Sequence, residues 1–171
     1  MFQAICIAAI ALLTAVDQLT KYVAINTVKV DGPFEFFFGL FQFRYVENTG
    51  AAFSSFSENK AVLFLFSGLL LVGVLIVLLG RKIESKFANI SLVLVAAGGL
   101  GNMIDRVING YVVDFIEPLF VDFAVYNFAD ICITVGAFLL IGFEIVDIIR
   151  ESKKHKMEEE KATEEKANEN D

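Results

Sequence analysis

AVLFLFSGLLLVGVLIVLLG, residues Ala61–Gly80, runs for 20 positions without a charge. Wound as an α-helix it is about 30 Å long, the thickness of a bilayer core. That reading makes the chain a membrane protein. Three weaker apolar runs flank it. Phe2–Val16 continues through Asp17 to about Ala24, and Phe87–Ile104 is interrupted only by Asn89, Ser91 and Asn102. Ile131–Ile149 stays apolar until Glu144 and Asp147. The first run lacks the basic start and small-residue cleavage site of a signal peptide. The fold expected is all-α, with four transmembrane helices, a small extracytoplasmic β-rich segment and a disordered C-terminal tail.

Composition supports this. Of 171 residues, 56% are hydrophobic and eighteen are Phe, above the share of about 45–50% in soluble domains. Charge is segregated: residues 151–171 hold eight acids and five lysines and almost nothing apolar. Such a segment cannot bury enough surface to offset its ordering entropy, so disorder is expected there. The domain division follows: 1–150 as the membrane domain, 151–171 as a charged cytoplasmic tail. The net charge of −7 partly reflects that tail, and no basic patch interleaved with aromatics points to nucleic acid. Cys6 and Cys132 lie in apolar runs and read as buried thiols, with no metal-ligand spacing. His155, the only histidine, lies in the tail, which excludes a Ser-His-Asp or Cys-His site and a histidine-built zinc site.

Orientation follows from lysine and arginine in short segments. The link RKIESK (81–86) holds three, and Arg150, Lys153, Lys154 and Lys156 follow the fourth run. The positive-inside rule makes both cytoplasmic, along with both termini. Residues of about 25–60 and 106–128 then form the outer loops. On this layout Asp17 and Lys21, Asn102 and Arg106, Asp114 in the last outer link, and Asn127 and Asp130 all reach one layer near the outer surface. Polar groups at that depth are costly and face a cavity or one another, so the cluster is a site hypothesis.

Plainer readings stand beside it. Asp17 and Lys21 are an i, i+4 acid–base pair that also serves structure alone. Asn102 and Arg106 share a helix face, with Asp105 rotated away by about 100°, and Arg106 by itself would snorkel to phosphate. Gly98, Gly99 and Gly101 read as helix-packing positions. No strand precedes them, so a dinucleotide cradle fails. Glu117 and Asp122, flanking Pro118, read as solvated loop acids, and Glu144 and Asp147 carry no assigned chemistry. In FEFFFGLFQF (34–43) six of ten residues are Phe. Phe41, Phe43 and Tyr45 alternate with Gln42 and Arg44, which predicts a short strand. The small residues of NTGAAF (48–53), Gly50 among them, allow close backbone approach.

Five stretches, DQLTK (17–21), NTGAAF (48–53), GGLGNMIDR (98–106), VDF (113–115) and NFAD (127–130), together resemble the ordered motif set of lipoprotein signal peptidase (signal peptidase II). The likeness covers residues from about 10 to 150. Tyr126 replaces a frequent Phe, and the tail lies outside the match. The resemblance implies an intramembrane aspartyl peptidase of the bacterial cytoplasmic membrane, without metal or organic cofactor. It would cleave prolipoproteins before a diacylglyceryl-modified cysteine, using Asp114 and Asp130, with Asn48, Asn102, Arg106 and Asn127 lining or supporting the site and Asp17 and Lys21 nearby. Membrane lipids and globomycin-type inhibitors are further implied partners, nucleic acid is not, and a monomer is expected.

The residue chemistry agrees. Two adjacent carboxylates cannot both ionise cheaply, so they share a proton near neutrality, leaving one acid and one base around a water. A proton-coupled carrier would instead spread its acids across the membrane depth, and a non-catalytic assembly factor gives no reason for two such aspartates.

Overall fold

In the computed structural model, residues 1–50, 60–81, 83 and 85–168 are described. The elements in chain order are α1 (Phe2–Asn26), α2 (Val28–Asp31), β1 (Phe34–Phe36), β2 (Phe41–Asn48), α3 (Lys60–Leu79), α4 (Lys86–Ile108), β3 (Val112–Pro118) and α5 (Phe128–Asn168). Three helical stretches, Phe2–Asp31, Lys86–Ile108 and Phe128–Glu158, are long and apolar enough to cross a membrane. α3 is a further helix of 20 residues, and its apolar part runs Phe64–Leu79.

Small residues set how the helices meet. Gly98 lies so close to the Ala129 carbonyl that a Cβ there would collide with it, and a Cβ on Gly136 would stand 2.7 Å from the Ser91 carbonyl. α4 and α5 therefore pack antiparallel, backbone against backbone. The Thr14 hydroxyl donates to the Ala97 carbonyl (3.2 Å) and the Gln18 amide to the Gly101 carbonyl (3.2 Å), so α1 runs parallel to α4. α3 passes antiparallel on α4's other side, with Leu71 against Gly99 and Met103 against Gly68. The glycines read as packing positions are packing positions. At one end of the bundle Cys6, Ile10, Leu78, Leu92, Val93, Ala96 and Ala97 form an apolar core. Beyond the other end a second core gathers Ala24, Val28, Val113 and Phe115 under Phe43 and Tyr45.

That second core is the underside of an antiparallel sheet of order β1-β2-β3. The predicted strand is β2, and it extends to Asn48. Two features correct the sequence reading. Asp114 sits in strand β3 rather than in a plain link, and Glu117 is a strand residue too, bound by Gln42 and by Arg44 at 2.9 Å. Both corrections have one cause: β3 is buried on both faces over most of its length, so its run VVDFIEP shows no period-two alternation. The tail is the other departure. α5 continues past Arg150 as helix to Asn168 because Lys- and Glu-rich sequence has high helix propensity and adds i, i+4 pairs such as Lys154–Glu158 at 3.8 Å. Residues 151–158 are nevertheless all exposed; that stretch is helical without joining the core.

Candidate active site

Between the two apolar cores lies a polar layer, and Lys21 is at its centre. Its ammonium lies 2.9 Å from Asp17 Oδ2, 3.1 Å from Asp105 Oδ2 and donates to Asn102 Oδ1 at 2.9 Å. Three donors meet three acceptors, so a residue only 2% exposed is fully satisfied, as a buried charge must be. Asp17 also accepts from the Ala129 backbone N–H (2.9 Å), a carboxylate placed on the N-terminus of α5 where free N–H groups and the helix dipole favour an anion. Gly101 has no side chain because Asp17's carboxylate occupies that space.

α5 opens with a reciprocal cap. The Asp130 backbone N–H donates to Asn127 Oδ1 (2.9 Å), and Asp130 Oδ2 accepts from the Asn127 N–H (3.2 Å). This is the capping-box arrangement with Asn and Asp in the two roles. The other Asp130 oxygen accepts from Asn102 Nδ2 at 2.8 Å. Just before the cap, Tyr126 exchanges hydrogen bonds with Ile116 (2.9 and 2.8 Å), which ties the start of α5 to β3.

β3 brings Asp114. Its Cα partner on β2 is Val46, so Asn48, two residues on, lies diagonally across on the same face. Asn48 Nδ2 donates to Asp114 Oδ2 at 2.8 Å, and Asn127 Nδ2 donates to Oδ1 at 2.7 Å. The Gly50 N–H donates to Asn48 Oδ1 (3.0 Å), which turns the amide's NH₂ toward Asp114. Residues 51–53 of that motif lie outside the described residues. Asp114 is 1% exposed. Burial, and then the charge of Asp130, push its carboxyl up to about 7, against the opposing pull of Asn48, Asn127 and Lys21.

Asp114, Asp130, Asn48, Gly50, Asn102 and Arg106 all line one cavity of ≈ 600 Å³. The Arg106 guanidinium makes one long hydrogen bond, 3.4 Å to the Asn102 carbonyl, and its charge acts on Asp130, Asp114 and Asp105. It faces the cavity rather than snorkelling away. Every site residue named from the sequence therefore belongs either to the cavity wall or to the Lys21 layer behind it. Two members were not anticipated. Gln18 Nε2 bridges Asp17 Oδ2 and Asp105 Oδ1, each at 3.1 Å, and Asp105 Oδ2 accepts from the Val113 N–H at 2.9 Å. Asp105 is rotated away from Arg106, and it lies on the helix face of Gly98 and Gly101. That small-residue stripe was the signal for it.

The profile of the Signal peptidase (SPase) II family matches residues 9–146. The chain belongs to the signal peptidase II family. Among its relatives, the lipoprotein signal peptidase of Streptococcus thermophilus (strain CNRZ 1066) is 37% identical over 133 residues, 78% of this chain and 87% of that protein. That of Trichormus variabilis is 43% identical over 129 residues, 74% and 80% of the two chains. A solved bacterial membrane enzyme superposes with a TM-score of 0.78 at 31% identity, covering 85% of this chain and 90% of its own. As a signal peptidase II the protein is a membrane-bound aspartic protease.

Proposed function

We propose that the protein is a prolipoprotein signal peptidase that hydrolyses the peptide bond preceding a diacylglyceryl-modified cysteine, with Asp114 and Asp130 as its catalytic pair. The observation carrying this reading is the delivery of two carboxylates, from β3 and from the first turn of α5, onto one cavity with separate amide donors. Asp114, the more buried, holds the shared proton near neutrality. Asp130, held at the start of α5 by the Asn127 N–H and by Asn102, serves as the base. A water between them attacks the scissile carbonyl carbon and gives a proton to Asp130 while Asp114 protonates the carbonyl oxygen. The resulting diol collapses as Asp114 takes that proton back and Asp130 protonates the leaving amide nitrogen; the C–N bond breaks and the pair returns to its starting state. Arg106 contributes positive charge beside the developing oxyanion.

In this reading α3 is a fourth span and residues 1–150 are the catalytic domain. The apolar cavity wall, including Ile131 and Val135 of α5, receives the lipidated residue from the bilayer. The test is cleavage of a diacylglyceryl-modified precursor by purified protein. Asp114→Asn and Asp130→Asn should each lower the rate by about 10²–10⁴-fold or more, with Asp122→Asn near wild type. Near-normal turnover by either dyad variant overturns the assignment.

A further inference from the structure

The turn joining β1 to β2 has no role in the layer just described, and it is an unusual piece of chain. Phe37 and Phe38 both have positive φ, 50° and 59°, a backbone region that bulky residues seldom occupy. Their rings are not buried in return: Phe37 is 62% exposed and Phe38 96%. Strain without burial, in a turn where Gly or Asn would sit comfortably, marks a segment held for use rather than for folding. From Phe36 to Phe41 the chain carries no charge.

What covers these rings is indicated by what they adjoin. Phe37 contacts Phe41 at 6.5 Å between centroids, and Phe41 contacts Phe120 at 5.5 Å. Phe41 and Phe120 line the same cavity as Ile131 and Val135, which are exposed apolar residues of α5, a helix apolar and long enough to cross a membrane. The aromatic end of the sheet is thus continuous with the exposed apolar surface of a helix able to cross a membrane. Away from the turn the outer layer carries ion pairs, Arg44–Glu117 at 2.9 Å on the sheet and Lys29 of α2 with Glu47 of β2 at 3.0 Å. Glu35 of β1 lies beside the turn with its carboxylate close to Gly39, so the uncharged surface is confined to the Phe36–Phe41 apex, bordered by charge, the distribution of an interfacial element.

We infer that the Phe37–Leu40 turn inserts into the lipid interface on the site's side of the membrane, with Phe38 at its apex, and so anchors the outer sheet to the bilayer. The anchor is independent of the proposed peptide chemistry. The chain has no tryptophan, so Phe38→Trp creates a single fluorescent reporter in the full-length protein. It is reconstituted into phosphatidylcholine vesicles carrying bromine on the upper acyl chain, with Glu47→Trp, at the exposed far end of β2, as the comparison site. Insertion predicts blue-shifted emission and quenching by the brominated lipid several-fold stronger than at Glu47→Trp. Aqueous iodide should show the reverse order. Should Phe38→Trp fail to reconstitute, Phe37→Trp gives the same readout. The signal must also persist in an Asp114→Asn background, which separates failure of the anchor from failure of the catalytic assignment. Iodide quenching equal to that at Glu47→Trp with no effect of bromine would overturn the inference. So would shielding that appears only with added lipoprotein precursor, or only at high protein density, because the occupant would then be substrate or a second copy.

Discussion

Asp114 is the residue whose ionisation is most constrained by its surroundings. Its carboxyl titrates near 7 in the fold against 3.8 for an ordinary side chain, so the folded state binds its proton more tightly than the unfolded state. Between those values stability falls as pH rises, and above about pH 7 the full penalty of a buried anion is present. Asp114→Asn removes the titration. The variant should lose activity yet gain stability over wild type at pH 8, by at most about 4 kcal/mol, with no gain at pH 4; melts at both pH values check this. For the same reason the wild-type cleavage rate should decline on the alkaline side with an apparent pKa near 7, as the acid member of the pair loses its proton. Lys21 presents the opposite case, a cation holding two buried acids. Lys21→Met should destabilise by about 3–5 kcal/mol because Asp17 and Asp105 are left uncompensated. Adding Asp17→Asn should recover part of the loss, a coupling that a double-mutant cycle in detergent measures.

Elements carry the site only as accurately as they pack. Asn102 of α4 must reach Asp130 of α5 at 2.8 Å, and Gly98, one turn away, is what lets those two backbones meet. Gly98→Ala should force the helices apart: a loss of about 1–3 kcal/mol from overpacking, larger than the propensity gain of roughly 1 kcal/mol from replacing glycine in a helix, and a reduced cleavage rate. Gly73→Ala on α3 meets nothing within 4 Å and should leave the melting temperature unchanged or slightly higher. The pair of melts distinguishes packing from propensity. At this scale the sequence was most readable where one pattern dominates. The four apolar runs, the β2 alternation and the glycine stripe each had a periodic or compositional signature. β3 is hidden in the sequence because a strand buried on both sides has no alternation, and Asp105 because its place in the layer shows only in its spacing to Gly98 and Gly101, not to Arg106. The cap formed by Asn127 and Asp130 was present in the string as N-x-x-D, but nothing local says that Asn127 would also donate to Asp114 across 13 residues.

At the scale of the whole molecule, the two ends of the bundle differ in kind. One end collects the start of α1, the α3–α4 link and the distal part of α5. Gln3 donates to the Leu79 carbonyl at 2.8 Å there, and Arg81 lies over the Phe2 ring. Arg81, Lys86, Arg150, Lys153 and Lys154 also fall at this end, the composition of a cytoplasmic surface. The other end holds the polar layer, the cavity and the sheet. If the basic end faces the cytoplasm, the cavity faces outward, where a translocated precursor would present its cleavage site. Asp31, exposed at the end of α2, and Lys154, exposed on α5, report the two ends. In a variant with Cys6→Ala and Cys132→Ala, Asp31→Cys should react with an impermeant thiol reagent on intact cells, and Lys154→Cys should react only after permeabilisation. The reverse pattern would put the cavity on the cytoplasmic side, where untranslocated precursor would have to reach it, and would contradict an enzyme acting on lipoproteins after export. Labelling of both on intact cells would mean the distal helix of α5 is not retained inside, and the charge asymmetry would then not be what sets the orientation.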